Sequence, residues 1–372
     1  MDENTNPNPE LINQKELVCK NCGGKIEFAP GTTSVKCPYC GTVNEITFEQ
    51  EELEKAFKEI DYFAYINQTV QTEDITVQES FVKCESCGAS TTIDSNVVSA
   101  ECPYCGSPLV REQAKLQNII EPQGLIPFVI DKNEAEKKFN QWMKKSFWAP
   151  KKAKVYARPD KLQGLYTPYW TYDASTITSY VGQRGDDYHT TETYTDSSGQ
   201  TQTRTVTKTR WSHASGTVYV NFDDIPIVAS TSLPEKYVNK LQPWNMTALK
   251  PYNKMFLSGF KSESYTRDVK EGFEMSKRVM EAEIVVAINR DIGGDHQRIT
   301  SKNTTYNNVT FKHILLPIWI SSYRYKDKIY NFVVNGQTGK VQGKRPVSAG
   351  KVILVILLVI AVIIALYFLF AN

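Results

Sequence analysis

The feature that most constrains this chain is a duplicated cysteine pattern. Cys19-Lys-Asn-Cys22-Gly is followed by Cys37-Pro-Tyr-Cys40-Gly, and Cys84-Glu-Ser-Cys87-Gly by Cys102-Pro-Tyr-Cys105-Gly. In each copy 14 residues separate the two pairs, and the copies lie 65 residues apart. Two residues between cysteines let a tight turn aim both sulfurs at one ion. The glycine after each pair permits a left-handed backbone, which brings N–H groups toward the thiolates. Two such knuckles joined by a short β-segment (Lys25–Phe28 to Ser34–Lys36, Ser90–Asp94 to Val97–Ala100) complete a tetrahedron. Zinc accepts four thiolates at about 2.3 Å, and four protein ligands leave no vacancy for water, so both sites read as structural rather than catalytic. Each ribbon is too small to hold a core alone, so metal binding and folding should be one event. Close pairs of this kind suit metal in a reducing compartment rather than disulfides. Iron is the competing metal, because the same knuckles occur in iron–sulfur proteins; the short connecting loop and the duplication favour two Zn2+ per chain.

The second constraint lies at the other end. Val352–Phe370, VILVILLVIAVIIALYFLF, has no charge, Gly or Pro; at roughly 1.5 Å per residue it spans about 28 Å, one bilayer core. A buried core helix would need a polar face, and none exists. Lys340, Lys344, Arg345 and Lys351 precede this run, and only Ala371 and Asn372 follow it. The positive-inside rule then predicts a single-pass, tail-anchored protein of the cell membrane with its bulk in the cytoplasm. The N-terminus is polar and acidic, without the apolar stretch of a secretory signal.

Charge is unevenly spread. Residues 1–115 carry 9 Lys+Arg against 19 Asp+Glu, and the remainder 34 against 22, giving the overall +2. An acidic front and a basic back suggest that the two halves meet different partners. Neither ribbon has the basic footprint with interleaved aromatics that a phosphate backbone needs, so they read as protein-binding or spacer modules. Between them, Glu49–Asn67 places Leu53, Phe57 and Ile60 at helical spacing and predicts one helix.

The fold class expected is α+β multidomain: a disordered lead-in (1–16), zinc ribbon 1 (17–48), a helical linker (49–80), zinc ribbon 2 (81–112), a β-rich α+β domain with a long hairpin (113–346) and the transmembrane tail (347–372). In the middle domain, Leu125–Ile130 reads as a strand and Asp131 as the N-cap of a helix over Asn133–Lys145. Met143–Lys161 carries seven Lys/Arg against one acid, interleaved with Phe147, Trp148 and Tyr156. Solvated surface, anionic headgroups and nucleic acid all remain open for it, with headgroups preferred beside an anchor. Leu165–Asp173 and Thr176–Tyr180 read as strands. Tyr188–Thr195 and Thr201–Trp211 form a polar hairpin turning at 196–199. A helix is expected over Asp268–Asn289 and a strand over Thr310–Tyr325, with Lys328–Asn335 as its hairpin partner. Pro168-Tyr-Trp170 and Pro317-Ile-Trp319 hint at a degenerate duplication.

No catalytic constellation stands out. His189, His213, His296 and His313 show no metal or triad spacing and read as surface or hairpin residues, and Asp223-Asp224 before Pro226 reads as a turn. Gly336-Gln-Thr-Gly339-Lys340 does not meet the phosphate-loop pattern and is better explained as a β-turn. No enzyme is expected.

Beyond the paired ribbons ending in CPYCG, the chain shows TPYWTYD (167–173) with GQRGDDY (182–188), LQPWNMTALKPYNKMFLSGF (241–260) and LLPIWISSYRYKDKIYNFVVNGQTGKVQGKRP (315–346). With these it resembles the bacterial TFIIB-type zinc-ribbon-containing membrane proteins, over most of its length. Members have been labelled homologues of primosomal protein N′, a replication-restart helicase, yet no Walker or helicase motif stands here. The resemblance implies metal ligation by Cys19, Cys22, Cys37, Cys40, Cys84, Cys87, Cys102 and Cys105. It also implies work beside membrane-stress or flotillin-like scaffold proteins. The reading is a membrane-anchored adaptor that recruits cytoplasmic proteins; the alternative is a membrane-tethered nucleic-acid-binding protein with Lys144–Lys161 and Arg204–Arg210 as contacts.

Overall fold

The computed structural model describes residues 19, 21–68, 75–92, 99–110, 113–150, 162–195, 199–325 and 328–370. The expected lead-in, Lys20, most of the basic stretch (151–161) and the hairpin turn at 196–198 lie outside those residues. The architecture is α+β: two four-cysteine clusters near the N-terminus, a β-rich middle and one apolar C-terminal helix.

Three long antiparallel strands organise the middle: β11 (Gln163–Thr195), β12 (Thr201–Val228) and β15 (His296–Tyr325), in the order β12-β11-β15. The strands expected at Leu165–Asp173, Thr176–Tyr180 and Tyr188–Thr195 are one continuous strand. It crosses three environments, and its composition tracks them. Leu165–Tyr172 is buried on both faces, as a run of large apolar and aromatic residues broken only by Thr167, Pro168 and Thr171 allows. From Ala174 to Gly182 burial alternates with period two, one face covered and one open. Beyond Gly185 the pairing with β15 ends, and a polar two-stranded tip continues.

The half-covered stretch is roofed by α4 (Val269–Ile292; α1 to α3 are Gln50–Phe57, Tyr62–Ile66 and Lys132–Lys144, and α5 is Ala349–Phe370). Asp268 caps α4 by accepting from the Glu271 N–H at 2.7 Å, and the helix ends at Gly293 with φ +66°. Its Phe273, Met280, Ile284, Ile288 and Ile292 form a buried stripe against Tyr180, Val218 and Phe222. Tyrosines tie both ends: Tyr172 Oη donates to the Val269 carbonyl at 2.6 Å and Tyr180 Oη to Asp291 Oδ2 at 2.6 Å.

On the other side, β15 pairs with β16 (Lys328–Asn335), the expected hairpin, and runs parallel to the two-residue strand β10 (Gly124–Leu125). Only Gly124–Leu125 of the strand expected around Leu125–Ile130 is laddered. α3 starts where expected, with Asp131 accepting from Glu134 N–H at 2.7 Å and Ala135, Phe139 and Met143 buried. Gly336–Gly339 is a turn held by Asn335 Oδ1, which accepts from Gln337 and Thr338 N–H at 2.8 and 2.9 Å.

The helix expected over Glu49–Asn67 is broken in two. Glu59 and Ile60 leave it so that β4 (Ile60–Asp61) can pair with Thr310–Phe311 of β15, and Asp61 then caps α2. Phe57, one of the three apolar residues at helical spacing, is exposed, while Ala56 and Tyr62 are buried. Tertiary pairing overrides the local period here.

α5 is 22 residues long, uncharged after Lys351 and exposed along its length. By length and composition it can cross a bilayer.

Gly272 tests the α4 packing. A Cβ there would lie 2.3 Å from Tyr172 Oη and 2.8 Å from Trp170 Cδ1, atoms held by their own bonds to Val269 and Arg267 carbonyls. Gly272→Ala, although favourable by helix propensity, should therefore destabilise by about 1–3 kcal/mol. Thermal denaturation of the detergent-solubilised chain checks this; a raised midpoint would refute the tight contact.

Candidate functional site

All four knuckles close in the same way. The N–H of the first cysteine donates to the carbonyl five residues on (Cys19 to Gly24, Cys37 to Thr42, Cys84 to Ala89, Cys102 to Ser107, 2.7–2.9 Å). The following glycine N–H donates back to that cysteine's carbonyl at 2.8–3.0 Å. Gly23, Gly41, Gly88 and Gly106 sit at φ +69 to +79°, the conformation that the sequence pattern demanded.

Within each cluster the four sulfurs lie within 4.8 Å of one another. Cys19–Cys40, Cys22–Cys37 and Cys84–Cys105 are 3.5 Å apart, and Cys87–Cys102 is 3.7 Å. A disulfide needs about 2.05 Å, whereas the edge of a tetrahedron with bonds of about 2.3 Å is about 3.8 Å. The donor set therefore fits one four-coordinate metal ion per cluster. Hydroxyls support both sites at the same position: Thr42 Oγ1 lies 3.1 Å from Cys40 Sγ. The Thr42 hydroxyl and N–H hold Cys40 down to about 6. At Cys105, burial alone would raise the thiol, but the Ser107 hydroxyl and N–H outweigh it and hold it at about 7. These favour thiolate at Cys40 and Cys105, whereas at Cys22 the Gly24 N–H is outweighed by the neighbouring sulfurs, which push it up to about 12, and burial pushes Cys102 up to about 11.

The local β-structure differs between copies. In ribbon 1 the expected β-segment forms β1 (Glu27–Phe28) and β2 (Ser34–Lys36), and a strand not foreseen, β3 (Val43–Glu45), completes the sheet. In ribbon 2, β6 (Ser90–Thr91) pairs instead with β5 (Thr76–Lys83), and β7 (Ser99–Glu101) with β8 (Pro108–Val110).

Neither ribbon stands free as a spacer. Both dock on one stretch, Phe256–Ser264. On ribbon 1, Phe28 N–H donates to the Ser258 carbonyl at 3.0 Å, and Phe28 meets Phe256 edge-on at 5.1 Å. On ribbon 2, Thr92 N–H donates to the Ser262 carbonyl at 2.9 Å, and Ser264 N–H donates to that of Ser90 at 3.1 Å. Cys19 and Cys37 share a core with Phe128 and Phe256. Cys84 and Cys102 share another with Leu165 and with Ile314, Leu316 and Ile318 of β15.

The two CPYCG tyrosines part company. Tyr39 is 76% exposed, whereas Tyr104 is 1% exposed and donates to Glu263, a buried carboxyl that also accepts from Ser230 Oγ at 2.6 Å and from Ser232 Oγ. Burial pushes Glu263 up to about 7 despite these bonds.

A second buried polar group was not legible in sequence. Lys312 on β15 is 6% exposed, with Nζ 2.9 Å from Glu59 Oε1 and 2.8 Å from Asp224 Oδ1. Asp173 accepts from the Asp224 N–H at 2.7 Å; burial and a shared hydrogen bond with Glu59 raise it to about 7. Four distant segments supply these residues, so no spacing rule could find them. Asp224, read as a turn, sits instead at a β-bulge with φ +50°. His313, read as a surface residue, is buried against Trp170; its Nδ1 lies 2.7 Å from the Ile120 carbonyl, and burial lowers it to about 4. His189, His213 and His296 are exposed.

With this geometry in place, the chain is 29% identical over 335 residues to the uncharacterized protein YdjG of Bacillus subtilis (strain 168), covering 90% of this chain and 91% of that protein. No protein-family model matches. No solved structure matches.

The buried charges generate two expected outcomes. A buried carboxyl raised from about 4.5 to about 7 keeps its proton in the folded state, so its stabilising contribution is complete below pH 4.5 and is lost as pH rises through 7. Glu263→Gln should flatten that part of the pH–stability curve, a contribution on the order of 3 kcal/mol; an unchanged slope between pH 5 and pH 7.5 in denaturant titrations would contradict it. Lys312→Met strands the half-buried Glu59 and Asp224 without their cation and should cost about 1–3 kcal/mol, read as a lowered urea midpoint.

Proposed function

We propose that this is a membrane-anchored double zinc-ribbon adaptor, with the body held at the cytoplasmic face by α5 and no enzymatic role. The observation that carries the reading is the arm built from β11, β12 and β15. From Ser175 to Thr195 it extends about 65 Å at roughly 3.3 Å per residue. Among the described residues no strand pairs with the outer edge of β12 along 201–222 or of β15 along 296–309. On the face away from α4, Ile177, Val181 and Tyr219 are exposed. Long free edges and open apolar positions are what strand addition by a partner protein uses.

The metal sites serve this role by construction. Four sulfurs per ion leave no open coordination position, so the ions hold the ribbons in shape. Zinc is the metal proposed, two per chain. The nucleic-acid reading gains little: Arg204 and Lys208 are paired with Glu192 at 3.5 and 2.9 Å, and Arg298 is stacked on Trp211.

Two measurements test the proposal. Metal analysis of the purified full chain should return two zinc ions, lost together with the fold on chelation; iron, or less than one ion per chain, would overturn the metal assignment. Joining Asp186 to Arg210 through an Asn-Gly turn removes the tip but leaves the metal sites and α5 intact. The wild-type chain should retain a protein partner through mild-detergent purification from membranes, and the shortened chain should lose it. Identical partners for both chains, or none for either, would count against the arm as a docking element. Salt-sensitive micromolar DNA binding would instead favour the alternative.

A further inference from the structure

We infer that Phe147 and Trp148, together with Val347, form a second lipid contact, an interfacial anchor that seats the body on the headgroup layer beside the entry of α5. The inference rests on the proposal that α5 spans the bilayer, and it adds which surface of the body lies against the membrane.

After α3 the chain turns at Lys145, and Ser146–Ala149 lies against the start of α5. Ser348 N–H donates to the Trp148 carbonyl at 2.9 Å. Lys351 Nζ donates to the Phe147 carbonyl at 2.6 Å and stands 5.1 Å from the centre of the Phe147 ring. Nearby, Arg345 stacks on Trp142 at 3.6 Å. Ser146 and Ala149 are buried, so the two aromatics between them are presented by a fastened loop. Yet Phe147 is 59% exposed, Trp148 41% and Val347 60%. Two adjacent large aromatics left in water beside a helix that is itself apolar on every side form one continuous apolar surface.

Depth decides what covers it. The apolar run begins at Val352, four residues after Ser348, which places the Ser348–Trp148 bond about 6 Å outside the hydrocarbon boundary at roughly 1.5 Å per residue. The polar interfacial layer of a bilayer leaflet is about 5–7 Å thick. Trp148 therefore lies at the level where tryptophan side chains concentrate in membrane proteins. The charge around it agrees: Lys144, Lys145, Lys344, Arg345 and Lys351 flank the patch, and neither 144–150 nor 344–351 contains an acid. Such a rim suits anionic headgroups. Of the basic stretch expected to meet lipid, 151–161 lie outside the described residues, and 144–150 bring two aromatics to the mouth of the helix.

The test uses the full chain reconstituted in phosphatidylcholine vesicles, with and without phosphatidylglycerol, and lipids carrying a quencher at the headgroup. Trp148 is one of six tryptophans, and Trp148→Phe should remove most of the headgroup-level quenching of emission. Phe147→Ser with Trp148→Ser, at exposed positions, should keep the metal content and resist carbonate extraction while making residues 144–150 more open to protease. Equal quenching in wild type and Trp148→Phe, with the chain still carbonate-resistant, would overturn this inference alone. Release of the wild-type chain by carbonate would overturn the spanning reading itself.

Discussion

The arrangement depends on the burial of one short stretch, Phe256–Ser264, between the two ribbons and the start of β11. Its backbone pairs with β11 from Leu165 and Tyr166 and offers its remaining hydrogen-bonding groups to ribbon 1 at Ser258 and to ribbon 2 at Ser262 and Ser264. Backbone donors and acceptors buried in this way must be paired, so the cysteine knuckles and the central sheet complete one another. A ribbon that unfolded would leave those groups without partners and would open the shared core.

That coupling changes what the metal sites mean. Small zinc ribbons in isolation fold only around their ion. Here Cys19 and Cys37, and Cys84 and Cys102, are buried in apolar clusters formed mostly by the middle domain. An ion held by either cluster would therefore stabilise the position of a ribbon on a larger body, and the body shields one side of each cluster. The exposed Tyr39 and the buried Tyr104 show how the same CPYCG motif is used in two ways: the first faces solvent, and the second supplies a hydroxyl to Glu263.

The buried charges mark where segments far apart in the chain are locked together. Glu59, from the linker between ribbons, reaches Lys312 on the central strand, beside the point where Ile60–Asp61 leaves the helix to pair with Thr310–Phe311. An ion pair of this kind adds little net stability over an apolar substitute, but it penalises misplacement of either partner heavily. It therefore fixes the linker's position on the sheet.

The sequence alone determined the two four-cysteine groups, the glycine-dependent knuckles, the α3 cap at Asp131, the long helix after Asp268, the polar hairpin and the apolar helix after Lys351. These are local: each depends on residues a few positions apart, and backbone geometry or side-chain period dictates the outcome. Only the tertiary structure decided that three expected strands are one, that Glu49–Asn67 is two helices, that Asp224 pairs with Lys312 at a β-bulge, that His313 is buried, and that both ribbons share a single docking stretch. Those outcomes depend on pairing between distant segments, such as Glu59 with Thr310, 251 residues further along the chain. No local pattern encodes such pairing, because a strand's partner is chosen by the whole set of surfaces to be covered.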